Sequence, residues 1–152
     1  MQQPRAFSCS VVLSLAALVT SVRSQDIPFE RYQLKNGLTV ILHEDHRLPL
    51  VAVNVWYRVG SKDEKAKRSG FAHLFEHLMF MGTRAVPNFD VVMERGGGSN
   101  NATTNRDRTN YFESGPKELL ELFLFLEADR MGTLSSAMTK EKLDVQRGVV
   151  LN

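Results

Sequence analysis

The segment His73-Leu74-Phe75-Glu76-His77 combines residue types and spacing that could do chemistry. On a helix, His73 and His77 are four positions apart, so they stack on one face with Cβ atoms ~5–6 Å apart. That separation lets two imidazole nitrogens meet one zinc ion at ~2.0–2.1 Å each. Glu76 follows His73 by three positions and adjoins His77, so its carboxylate can reach water on the same ion from the same side. Zinc lowers the pKa of such a water toward ~7, and a carboxylate beside it can take the proton as a peptide carbonyl is attacked. The same carboxylate can pass the proton to the leaving amine. The order H-x-x-E-H is the inverted form of the zinc-peptidase helix motif. Taken alone, the five residues also fit a helix with two ordinary histidines packed near a core, since short motifs recur by chance.

The elements that must position these residues are legible in outline. Phe29 to Leu34 and Leu38 to His43 are apolar, β-branched runs around Lys35-Asn36-Gly37, which predicts a hairpin. Leu50 to Val59 predicts a third strand, buried on one face. Gly60 to Ser69 is charged and turn-like, with Lys62 to Arg68 expected as a solvated face. Gly70 to Met81 follows as a dense apolar helix closed by Gly82. Asn88 to Arg95 predicts a short helix broken by Gly96-Gly97-Gly98; Asn101 to Thr104 and Arg108 to Phe112 predict two short strands. Pro116 to Met131 is the clearest helix, with proline in its first turn and Gly132 after its end. Its Leu119, Leu122, Phe123, Leu126 and Met131 are expected in the core. Thr139 is the expected N-cap of a last helix from Lys140 onward, whose apolar Val149-Val150-Leu151 run has no stop signal, as if the domain were cut in mid-element. Hairpins and strands followed by helices give an α+β class with a mostly antiparallel sheet.

Composition bounds the setting. Arg5, the apolar Val11 to Val19 and small residues at Val22 and Ser24 read as residues 1–24 of a secretory signal, leaving 25–152 as the N-terminal part of a peptidase domain. The apolar run is shorter than the ~20 residues a membrane span needs, so no stable span is expected after cleavage. Removing Arg5 and Arg23 brings nineteen basic residues to seventeen, equal to the seventeen acidic ones, so nucleic acid is not an expected partner. The single cysteine, Cys9, lies in the signal, which excludes a disulfide scaffold and a thiol nucleophile. The expected localisation is periplasmic or secreted.

Gly60, nine residues to Gly70, and then Phe71 through Thr83 closely resemble the zinc-binding signature of the pitrilysin/insulinase family of metallopeptidases, the inverzincins. The resemblance extends to Asn36-Gly37-Leu38, Trp56 to Ser61, Gly97-Gly98 through Thr104, Asp107 to Tyr111 and Glu127 to Met131, and covers Phe29 to Asn152. It implies the N-terminal domain of the pitrilysin/mitochondrial-processing-peptidase fold, truncated at the C-terminus. It implies that His73 and His77 bind Zn2+ and that Glu76 is the catalytic base. It further implies that Gly98 to Ala102 is an edge strand on which substrate is added as a strand, with Asn101 and Ala102 hydrogen-bonding the substrate backbone. Without the family, those residues read as a Gly/Asn-rich turn feeding a strand.

A catalytic zinc takes three protein ligands plus water, and the family's third is a glutamate expected just past Asn152, on the helix that begins at Lys140. Gln146 stands where the insulinase branch has a supporting carboxylate, so it is assigned no metal role. Glu94, Glu113, Glu127 and Asp144 are substitutes by type only, and no spacing singles one out. His43-Glu44-Asp45-His46 reads as a solvated turn, and the Asn101-Ala102-Thr103 glycosylation sequon coincides with the substrate strand, where a glycan would block binding. The implied function is a zinc-dependent endopeptidase acting on peptides or unfolded protein segments, the 152-residue piece alone being inactive. The alternative is a non-catalytic partner subunit of the same fold that binds substrate or an active chain; such subunits lose motif residues, and here both histidines and Glu76 are present. A structural zinc module would need cysteines or further histidines. A partner subunit or a second domain of the same family is a further expected partner.

Overall fold

The structure is a computed structural model that describes residues 26–151, so the expected signal segment lies outside the described residues. The described chain divides between Asp45 and His46 into two compact units.

The first unit is the predicted hairpin. β1 (Glu30–Gln33) and β2 (Thr39–Leu42) pair antiparallel, Glu30 opposite Leu42 and Gln33 opposite Thr39. Asn36 Oδ1 accepts from the Leu38 amide (3.1 Å), and the Gly37 amide donates to the Leu34 carbonyl (2.9 Å). Gly37 closes the turn at φ +89°, a conformation glycine adopts without steric cost. His43 gives a ring proton to the Pro28 carbonyl (2.6 Å).

The second unit orders β3 (Leu50–Tyr57), α1 (Phe71–Leu78), α2 (Phe89–Gly96), β4 (Ser99–Thr104), β5 (Thr109–Pro116), α3 (Leu120–Ala137) and α4 (Lys140–Leu151). The sheet runs β3-β5-β4, all antiparallel, which is the expected α+β arrangement. β3 alternates as predicted: Val51, Val53, Val55 and Tyr57 are half-buried while Leu50, Ala52, Asn54 and Trp56 are exposed. Register carries that inner face across the sheet, since Val55 lies opposite Tyr111 and Tyr111 opposite Ala102. Phe123 and Leu126 of α3 pack there with Val86, Phe89 and Met93, against Val51, Val53, Leu119 and Leu122.

The largest departures from the expected boundaries lie in β5 and α3; α1 is also shorter than expected, ending at Leu78 rather than Met81. β5 extends past Phe112 to Pro116, because Leu50 to Tyr57 pairs with all eight of its residues and Lys117 N–H adds a bond to the Pro49 carbonyl (3.0 Å). Pro116 therefore ends a strand, a 3₁₀ turn (Lys117–Leu119) follows, and α3 begins at Leu120. α3 then runs through Gly132 to Ala137. A glycine inside a helix costs only ~1 kcal/mol relative to alanine, which the continuing backbone ladder offsets. Met131, expected in the core, is exposed: it sits one ~100° step around the helix from buried Arg130. Among the described residues no helix is long and apolar enough to cross a membrane.

Candidate metal centre

α1 carries the motif, and both of its ends are held. Gly70, at φ +89°, precedes the helix and has no side chain to cap it. Glu64 does so instead: its Oε2 accepts from the Gly70 amide and its Oε1 from the Ala72 amide, both at 2.9 Å. A carboxylate there satisfies amides the helix cannot pair and opposes the positive end of its dipole. Glu64 is half-buried, so the Lys62 to Arg68 loop is not simply the solvated face expected; one of its acids is a helix cap. After α1 the chain turns through Gly82, at φ +74°, where a Cβ would lie 2.2 Å from the Pro87 carbonyl oxygen. The Thr83 hydroxyl accepts from the Val86 amide (3.0 Å) and donates to the Asp129 carboxylate, tying this turn to α3.

α4 packs beside α1. Lys142 Nζ reaches the carbonyls of Gly82 (3.5 Å) and Ala137 (3.1 Å), and the Gln146 amide donates to Met81 Sδ (2.8 Å). Thr139 caps α4 as predicted, its hydroxyl accepting from the Lys142 amide (3.3 Å).

Within α1, the Nε2 atoms of His73 and His77 lie 3.1 Å apart, with ring planes 69° apart and centroids at 4.7 Å. Two nitrogens bound to one tetrahedral zinc are separated by ~3.3 Å, as two ~2.05 Å bonds at the tetrahedral angle require. The pair therefore fits two coordination positions of one ion. Among the described residues, no group of three or more His, Cys, Asp or Glu side chains is placed to hold a metal. Glu113 and Glu127 are committed to Arg130, and Asp144 to Lys140 and Arg147.

Glu76 is half-buried on the same helix, and its Oε2 accepts a hydrogen bond from the hydroxyl of Thr104 on β4. This bond joins the helix to the strand bearing Asn101 and Ala102. Among the described strands β4 is at the sheet edge. Ala102 is buried opposite Tyr111; Asn101 is exposed, and its Oδ1 accepts from the Ala102 amide (2.8 Å). Among the described residues, His43 and His46 join no group of three metal-ligand types.

Tyr111 underlies the helix, its hydroxyl donating to the Phe75 carbonyl (3.4 Å) and its ring edge-on to Tyr57. Burial raises its pKa well above the usual 10; the Arg130 charge opposes this and Glu76 adds to it, so the hydroxyl stays a neutral donor. Behind it, Arg130 stacks 4.3 Å from the Tyr111 ring centroid, meets Glu113 Oε1 at 3.1 Å and binds both oxygens of Glu127. The side chains of all three charged residues are at most 3% exposed. Two carboxylates against one guanidinium would leave a buried negative charge, and among the described residues Glu113 Oε2 has no hydrogen-bond partner. Burial raises the Glu113 pKa to about 7, with Arg130 pulling the other way. Burial thus favours the protonated form of the Glu113 carboxyl, against the pull of Arg130.

The family model described as insulinase (peptidase family M16) matches residues 39–152. The chain belongs to the insulinase family. Among similar insulinase-family proteins are the zinc protease PqqE of Helicobacter pylori, 38% identical over 136 residues, and the mitochondrial-processing peptidase subunit beta of Bos taurus, 32% identical over 120 residues. The matches cover 86% and 78% of this chain but 30% and 24% of those proteins, so the chain spans less than a third of their length. The crystal structure of a protease from Helicobacter pylori superposes at TM-score 0.75 with 35% identity, over 81% of this chain and 30% of that one. Pitrilysin shares the fold at TM-score 0.70 and 24% identity, over 84% of this chain and 14% of its own. Zinc is the metal of this family of proteases.

Sequence reasoning missed four residues that shape this insulinase-family site: Glu64, Thr104, Tyr111 and Arg130. Glu64 had a legible signal, an acid ahead of a helix whose N-cap residue, Gly70, has no side chain to cap it. For Thr104 the partner is 28 residues away along the chain, and Arg130 joins its i,i+3 neighbour Glu127 to Glu113, 17 residues away on β5, a link no local pattern announces.

Proposed function

We propose that the protein of which these 152 residues are part is a zinc-dependent endopeptidase acting on peptides or unfolded segments. His73 and His77 are two ligands, a carboxylate from beyond Asn152 is the third, and Glu76 is the general base. The observation that carries the reading is the 3.1 Å convergence of the two Nε2 atoms on the helix that also presents Glu76. Zinc held there supplies Lewis acidity that makes water a nucleophile near neutral pH. Glu76 takes the proton released on attack and returns it to the departing amine. Its Oε1 suits that task, since among the described residues only Oε2 has a protein donor.

β4 supplies the platform for substrate. A peptide laid along its edge exchanges Asn101 Oδ1 for a substrate carbonyl at the Ala102 amide, so a docked strand gains backbone bonds without unmaking the sheet. Asn101 then points its amide toward the added strand, and alternate substrate side chains fall on the α1 side.

The test uses the full-length protein. Glu76→Gln is expected to keep its zinc, measured by elemental analysis, and to lose peptide cleavage by ~10³-fold or more. Cleavage at the native rate in a zinc-loaded Glu76→Gln protein refutes the assignment.

A further inference from the structure

We propose that Thr104 is the positioning residue for Glu76, fixing the base to the strand on which substrate is laid. The inference rests on the reading of Glu76 as general base. Thr104 is half-buried at the end of β4, opposite Thr109 of β5. Its hydroxyl lies against Glu76 Oε2 on one side and 3.2 Å from Thr109 Oγ1 on the other. Each hydroxyl has one proton to give. Thr104 gives its proton to Glu76 Oε2. The Thr109 hydroxyl has its own acceptor, the Val59 carbonyl at 3.0 Å. This accounting fixes the direction of the Thr104 bond.

A glutamate has three rotatable side-chain bonds, and on a half-exposed helix face nothing in its own element selects one carboxylate orientation. The Thr104 hydroxyl selects it by holding Oε2. The bond also changes which distances matter. Asn101, Ala102 and Thr104 belong to one strand, so a peptide in register with that strand is in register with the base. Without the hydroxyl, that alignment depends on how helix and sheet happen to pack. Threonine suits the place because its branched side chain favours the strand while its oxygen reaches across.

In the full-length protein Thr104→Val keeps shape and branching and removes only the donor. We expect kcat to fall ~10- to 100-fold with KM within ~2-fold, the pattern of a misaligned group rather than of lost binding. Thr104→Ser restores the hydroxyl and is expected to recover kcat to within ~3-fold, whereas Thr104→Ala falls with Thr104→Val. Thr109→Val removes a neighbouring hydroxyl that does not touch Glu76, and is expected to lose less than Thr104→Val. A readout independent of turnover is crystallography of the metal-free full-length proteins: a single Glu76 rotamer with Thr104 or Thr104→Ser, more than one with Thr104→Val. Native kcat in Thr104→Val, Thr104→Ser as impaired as Thr104→Val, or equal losses at Thr109 and Thr104 would each overturn the proposal. Retained cleavage in Glu76→Gln overturns instead the reading beneath it, so the two failures are distinguishable.

Discussion

Two polar clusters lie on either side of Tyr111, and they use the same kinds of residue to opposite ends. Toward the core, Glu113, Glu127 and Arg130 are sealed from water and close on one another. Toward α1, His73 is exposed, Glu76 and His77 are half-buried, and the Nε2 atoms of the two imidazoles meet at 3.1 Å. In the sealed cluster desolvation displaces pKa values, raising Glu113 and lowering Arg130. The open cluster has the geometry for chemistry. At the sealed end a shifted pKa marks burial, whereas chemistry at the open end needs ligands that are preorganised. Tyr111 links the two regions, stacked on Arg130 and bonded to the backbone of the motif helix.

The contrast can be broken most forcefully at its sealed end. Arg130→Leu leaves Glu113 and Glu127 without their cation and removes the platform beneath Tyr111. It is expected to destabilise the protein by ~3–5 kcal/mol, read by denaturant unfolding. A loss below ~1 kcal/mol would mean that the cluster is not structurally required.

A smaller effect tests the charge state. Because the folded Glu113 pKa is about 7, above its ordinary 4.5, the folded protein binds the extra proton between those values. The sign follows: this contribution to stability is complete below ~pH 4.5 and is lost as pH rises through ~7. Glu113→Gln mimics the protonated form, and should flatten the fall in unfolding free energy between pH 5 and 7, by up to ~2 kcal/mol. An unchanged slope would place the proton elsewhere.

The smallest expected change lies at the open end. Glu64→Ala removes the carboxylate that caps α1 and is expected to cost ~1–2 kcal/mol of stability, about what a lost N-terminal cap costs. It should also loosen zinc binding in the full-length protein, read by competition with a chelator, because the first turn of α1 orients His73. Glu64→Gln retains an acceptor and is expected to fall between the two. Equal zinc affinity in all three would show that the helix start is set by packing alone.

Much of this was legible along the chain. The i,i+4 histidines, the Asn36-Gly37 hairpin, the alternating Leu50 to Tyr57 strand and the Thr139 cap depend on spacings of a few residues, and local backbone geometry enforces them. Boundaries governed by pairing were less legible. β5 reaches Pro116 because a distant strand has eight residues to pair with it, and α3 passes Gly132 because one weak residue does not end a helix whose ladder continues. Burial on α3 followed the 3.6-residue period at Phe123 and Leu126, while Met131 fell outside it.

The sequence by itself determined that two histidines and a glutamate share one helix face, since three- and four-residue spacings on an α-helix leave no other arrangement. Tertiary structure decided what holds that face. Glu64 closes its first turn, Tyr111 supports its backbone, and Thr104 reaches across from β4 to orient its carboxylate. Of these only Glu64 is near α1 in the chain; Thr104 and Tyr111 come from strands that follow it. The sheet's antiparallel register brings those two beneath the helix, because burying one face of β3, β4 and β5 fixes which side chains point toward α1.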